Sequence, residues 1–184
     1  MKSIRKELLE PPEIFGIVEE GVYRSNGSLN QSQVEFLEPL KIKTLLLLSI
    51  ENVSFPLKKF VKENNIEQIN LGLKTWQPDL EWKPVSEELV KEATEIILDK
   101  SFHPILLVCS SGIRETSTVV GCLRKLQNWN FNSIIFEYRR YSTSRARYAI
   151  ELFIELFDID LVSIPSNTPD WFISQQQFFT LPQN

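Results

Sequence analysis

The chain is poor in metal-ligating and redox side chains: one histidine, one methionine and two cysteines in 184 residues. One histidine cannot complete the usual zinc sets, and Cys109 and Cys122 do not stand in a paired ligand spacing. Two cysteines in a chain of this length are no disulfide framework. Basic excess is also missing. Twenty Lys and Arg against 24 Asp and Glu leave a formal net charge of -4, so no nucleic-acid footprint is advertised. The apolar runs fall far short of a membrane span. The opening Met1-Lys2-Ser3-Ile4-Arg5-Lys6 leads into acidic and proline residues rather than the apolar stretch of a signal peptide. Repeats and domain linkers are absent too. The expectation is a soluble, cytoplasmic protein with reduced thiols, no metal, no cofactor, and no membrane or nucleic-acid partner.

What is present is the material of one globular domain. Hydrophobic residues make up 42% of the chain and charged residues 24%, enough apolar surface for a real core. Residues 1–14 read as a flexible lead-in ended by Pro11-Pro12, residues 15–160 as the domain, and residues 161–184 as a tail carrying Trp171, Phe172, Phe178 and Phe179. Phe15 to Ser25 reads as a small ribbon. Ser28 to Leu40 holds a short helix capped by Asn30 or Ser32. Lys43 to Ile50 is a continuous apolar run, the signature of a central parallel strand buried on both faces. Val53 to Asn64 reads as a helix and Ile66 to Leu73 as a strand. Lys74 to Pro84, rich in proline and tryptophan, reads as a loop beside the functional face. Ser86 caps the clearest helix, running to Lys100. Ile105 to Val108 is a short strand, Thr116 to Asn128 a helix, and Asn132–Tyr141 and Ser144–Phe157 two more. Strands alternating with helices predict an α/β sandwich with extra C-terminal helices.

Between the last strand and its helix stands Cys109-Ser110-Ser111-Gly112-Ile113-Arg114-Glu115-Thr116. A strand, a cysteine, a small turn with glycine and a helix start form an anion cradle: backbone N–H groups converge and the helix dipole adds positive potential. The same field favours a thiolate, which could attack phosphorus. From the local pattern alone a second reading stands beside it, a buried structural cysteine closing a strand.

Longer stretches break the tie. Phe15 to Ser25, His103-Pro104-Ile105-Leu106, Val120 to Trp129 and Glu137-Tyr138-Arg139-Arg140-Tyr141 together resemble the cysteine-dependent phosphatases. Within them the chain is similar to the plant and fungal atypical dual-specificity type, which includes inositol pyrophosphate phosphatases. The resemblance runs from about Phe15 to Phe157. It implies a phosphatase-like three-layer sandwich, with a central, mostly parallel sheet flanked by helices. It also implies Cys109 as nucleophile, Gly112 as the turn glycine and Thr116 as the threonine after the loop.

Against that pattern the chain departs at three places. The family reads His-Cys, five residues, Arg, Thr-Gly; here Val108 stands for the histidine, Glu115 for the arginine and Ser117 for the glycine. An arginine clamps two phosphoryl oxygens and stabilises transition-state charge. A glutamate donates neither bond, repels phosphate and opposes the thiolate. Loss of one well-placed donor costs about 3–4 kcal/mol in a comparable oxyanion site. Arg114, one position away, offers an escape if a register change turns it inward and Glu115 outward.

A general acid is sought in the proline-tryptophan loop, where Asp79 is the candidate; its other reading is a turn aspartate after Pro78. The resemblance implies anion contacts at Arg140, Arg145 and Arg147, although Arg145 also reads as a solvated helix residue; Arg114 reads either as an anion contact at the rim or as an exposed helix-start residue. The family's basic loop positions are Ser110, Ser111 and Ile113 here, a loss of positive charge. Arg24 is expected as a structural pin of the N-terminal ribbon. The leading expectation is therefore a catalytically impaired regulatory or scaffolding subunit, in a hetero-oligomer with related phosphatase-like proteins. The alternatives are a weak phosphatase acting on inositol pyrophosphates or phosphoprotein through Cys109, and a non-catalytic sensor of inositol polyphosphate or phosphate.

Overall fold

The computed structural model describes residues 9–49, 52–73 and 84–180. Five strands form one sheet: β1 (Gly16–Glu19), β2 (Val22–Asn26), β3 (Thr44–Leu47), β4 (Glu67–Asn70) and β5 (Ile105–Cys109). Seven helices surround it: α1 (Gln31–Leu37), α2 (Phe55–Glu63), α3 (Glu87–Ile97), α4 (Arg114–Leu126), α5 (Phe131–Ser142), α6 (Tyr148–Leu156) and α7 (Asp170–Thr180). The sheet order is β1-β2-β5-β3-β4. β1 and β2 are antiparallel, and the other pairings are parallel.

The apolar run at Lys43 to Ile50 serves two cores at once, because strand side chains alternate between faces. Leu46 and Leu48 enter one core while Leu45 and Leu47 enter the other. β5 does the same: Ile105, Leu107 and Cys109 on one side, Leu106 and Val108 on the other. Helices α1 and α2 close one face through Val34, Leu37, Leu57, Phe60 and Val61. The opposite face is closed by α3, α4, α5 and α6, with Val90, Val120, Ile134 and Phe153 among the buried residues. This is the three-layer α/β sandwich, with a mostly parallel sheet between helices.

Local signals set several boundaries. Asn30 caps α1 in a reciprocal capping box with Gln33, and Ser86 caps α3 through the Leu89 amide. Helix α4 begins at Arg114, two residues before the expected Thr116, so Arg114 and Glu115 belong to the helix start rather than to the turn. An acidic residue in a first helical turn meets the positive end of the dipole, which suits Glu115 there. The expected helix over Ser144–Phe157 begins only at Tyr148. Thr143 has φ 50 and a short 3-10 turn, Thr143–Arg145, intervenes. Of the C-terminal segment, Val162 and Phe172 are buried in the larger core, and α7 carries Phe172 there. Among the described residues no helix is long and apolar enough to cross a membrane.

Candidate functional site

Parallel strands direct their C-terminal ends to one edge of a sheet, where ligands of α/β folds gather. β5 ends there on Cys109, paired in register with Asn26 of β2. The chain then turns back through Ser110 to Ile113 into α4. Gly112 makes the turn with φ +68, and a Cβ there would come within 2.9 Å of the Asn26 amide nitrogen and Ile14 Cγ2. Glycine is therefore required twice, for conformation and for space.

Cys109, at the end of β5, is buried. Thr116 Oγ1 donates to its Sγ at 3.1 Å. Burial pushes the thiol above its ordinary value, and the Glu115 carboxylate pushes in the same direction; the Thr116 bonds pull it back. Three loop amides are committed within the protein. Ser110 N–H donates to Ser49 Oγ at 3.1 Å, Gly112 N–H to Cys109 O at 3.2 Å, and Ile113 N–H to Ser111 Oγ at 3.2 Å.

Arg114 and Glu115 divide between rim and interior. The Glu115 side chain is 7% exposed and the Arg114 side chain 55%. Arg114 Nε donates to Glu115 Oε1 at 2.7 Å, and Arg114 Nη2 donates to the same oxygen. So Glu115 is the inward member of the pair, and Arg114 partly neutralises it from the rim. The inward swing of Arg114, offered by sequence as an escape, is not the arrangement here.

Above the loop lies a cavity of about 500 Å³. Ser110, Ser111, Ile113, Arg114 and Glu115 line one side; Ser144, Arg145, Ala146, Arg147 and Ile150 line the other. The interruption between α5 and α6 is what brings Arg145 and Arg147 over the loop. Tyr138 steadies that segment, its phenol oxygen accepting the Arg147 amide hydrogen at 2.7 Å. Three arginines and one carboxylate line this cavity, and Arg114 is already paired with that carboxylate, Glu115. Arg140 does not join them. It lines a separate surface cavity with Ile17, Trp129, Phe136 and Tyr141. Asp79, with Trp76 and Trp82, lies outside the described residues.

Sequence reasoning assigned Arg24 to the N-terminal ribbon and missed its reach into this loop. Arg24 Nη2 donates to Gly112 O at 2.9 Å and to Ser117 Oγ at 2.7 Å. The only advance signal was an arginine directly after the apolar pair Val22-Tyr23 of a short strand. Arg124, by contrast, is absorbed in the scaffold. It forms a two-bond fork on Glu137 and bonds to Glu19, Gln127 and Val18 O, with its plane over Trp129. Among the described residues, no group of three His, Cys, Asp or Glu side chains could hold a metal.

Comparison with known proteins places this geometry. The profile of the tyrosine phosphatase family matches residues 9–175. The probable tyrosine-protein phosphatase DG1060 of Dictyostelium discoideum is 45% identical over 161 residues, covering 88% of this chain and 95% of its own length. The inositol diphosphatase DSP4 of Arabidopsis thaliana is 35% identical over 153 residues, covering 83% and 76%. Among solved structures, the core catalytic domain of the PP-IP phosphatase SIW14 from S. cerevisiae, in complex with citrate, superposes with a TM-score of 0.73. It is 34% identical, over 83% of this chain and 90% of that one.

Proposed function

The chain belongs to the tyrosine phosphatase family, and we propose from that premise that it is a weak phosphatase acting on inositol pyrophosphates through a Cys109 thiolate. The observation that carries the reading is the cavity lined by Arg114, Arg145 and Arg147 over the loop that leads from the buried Cys109 into α4. Inositol pyrophosphates present several phosphate groups to such a rim. The relatives support the substrate class, since DSP4 is named an inositol diphosphatase and SIW14 a PP-IP phosphatase. In the first step Sγ attacks the terminal phosphorus, the bridging P–O bond breaks, and the inositol phosphate leaves with the bridging oxygen. Water then cleaves the S–P bond, releasing phosphate and returning the thiolate. A phosphate leaving group needs less help from a general acid than an alkoxide does.

Turnover is held low by Glu115. On the resemblance it stands where relatives carry arginine, and it raises the thiol pKa from a buried position beside Arg114. That same observation favours a second reading, a non-catalytic regulatory or scaffolding subunit, assembled with related phosphatase-like proteins. Sequence alone put that reading first; the relatives' names reverse the order. Phosphate release from an inositol pyrophosphate, with Cys109→Ser as control, decides between them. Release that disappears in the control supports the enzyme. Tight binding without release leaves a sensor of inositol polyphosphate, and neither binding nor release leaves the subunit.

A further inference from the structure

We infer that Arg24 is the positioning residue of the Cys109 loop, a guanidinium carried by β2 that ties the Gly112 turn to the head of α4 from behind. One nitrogen, Nη2, spans the two elements, holding Gly112 O at 2.9 Å and Ser117 Oγ at 2.7 Å. Between those anchors hangs the hydroxyl that faces the thiol, Thr116, adjacent to Ser117. The distance from turn to helix therefore depends on a residue 88 positions away in sequence from the turn it holds.

The guanidinium is itself fixed. It is 1% exposed, and its Cζ lies 3.9 Å from the centroid of the Tyr141 ring of α5. Tyr141 packs so closely on β1 that a Cβ on Gly16 would overlap its hydroxyl. Sheet, loop, α4 and α5 thus meet on one side chain. Among the described residues no carboxylate stands within ion-pairing distance of Arg24, and its Nε is buried without a partner. A buried cation so placed is a costly way to hold a fold together. Its charge has a use at the thiol. Burial lowers the Arg24 pKa to about 10, against the raising fields of Tyr141, Glu137 and Cys109, so it remains a cation at neutral pH. By reciprocity the field that keeps Arg24 charged also favours the Cys109 thiolate, opposing Glu115.

The inference rests on the reading of Cys109 as a reactive thiol, so the test reads the thiol rather than turnover. Iodoacetamide alkylation of Cys109 is followed by peptide mass spectrometry against pH in the full chain, Arg24→Lys and Arg24→Met. Arg24→Met is expected to alkylate at least about threefold more slowly at pH 8, with its profile moved to higher pH; threefold is about half a pKa unit. Arg24→Lys, which keeps the charge, is expected to recover most of that rate. Because Arg24→Met also takes the donor from the buried Gly112 O, Ser117→Ala provides the second arm. Amide hydrogen exchange over residues 110–116 is expected to rise at least about threefold in Ser117→Ala, with α3 unchanged. Folded Arg24 variants with the wild-type profile, or unchanged loop exchange in Ser117→Ala, overturn the inference. A wild-type thiol inert up to pH 10 instead sinks the proposed phosphatase, while the exchange measurement still decides Arg24.

Discussion

Glu115 and Arg24 act on one sulfur with opposite signs. The carboxylate is in the loop and raises the thiol pKa; the guanidinium lies behind the loop and, in the role inferred above for Arg24, exerts the opposing pull. Removing the carboxylate's charge while keeping its hydrogen-bonding oxygen isolates the first effect. Glu115→Gln is expected to speed Cys109 alkylation at pH 7 by about three- to tenfold. An unchanged rate would mean that the carboxylate contributes nothing to the thiol's pKa. The second cysteine yields a pH effect on stability. Burial pushes the Cys122 thiol far above its ordinary value, so the folded chain holds that proton more tightly than the unfolded chain. The stabilisation is fully present below the unfolded thiol pKa of about 8.5 and is lost as pH rises above it. Between pH 8 and pH 10 the stability of the native protein is therefore expected to fall relative to Cys122→Ala by about 2 kcal/mol. Urea unfolding of both proteins at the two pH values checks it.

At the scale of elements, legibility followed the physics that acts locally. β3 and β5 could be read because a strand buried on both faces has no polar alternation to hide it, and α1 and α3 because Asn30 and Ser86 cap them. What escaped depends on contacts between distant parts of the chain. Nothing near Arg24 announces Gly112. The early start of α4 needs the strand-end geometry of Cys109 to be known, and the break at Thr143 shows only as a backbone angle. Without that break Arg145 and Arg147 would continue a helix instead of facing the loop. Asn30→Ala removes one side of a capping box and is expected to cost about 1 kcal/mol. Helix α7 carries a larger test. Phe172 is 4% exposed in the main core, whereas Phe136 on α5 is 73% exposed. Phe172→Ala is expected to cost about 3 kcal/mol and Phe136→Ala less than about 0.5 kcal/mol. Equal costs in denaturant unfolding would show that α7 does not belong to the cooperative core.

For the whole molecule, a cavity with three arginines belongs to a chain whose net charge is -4. On the proposed function, attraction of a polyanion is therefore local to the loop face, and it is expected to weaken as salt screens the rim. The family, the sandwich and the place of the thiol were legible in the sequence, because long matched stretches and strand patterning carry them. The balance between catalysis and regulation was not, because it turns on how one carboxylate sits among three cations. Its most direct test is phosphate release from an inositol pyrophosphate by the wild-type chain, Cys109→Ser and Glu115→Arg. Slow release is expected from wild type, none from Cys109→Ser, and a gain on the order of 10²-fold in Glu115→Arg, the size of one restored oxyanion donor. Release that persists without Cys109, or a folded Glu115→Arg protein no faster than wild type, would contradict the proposed function.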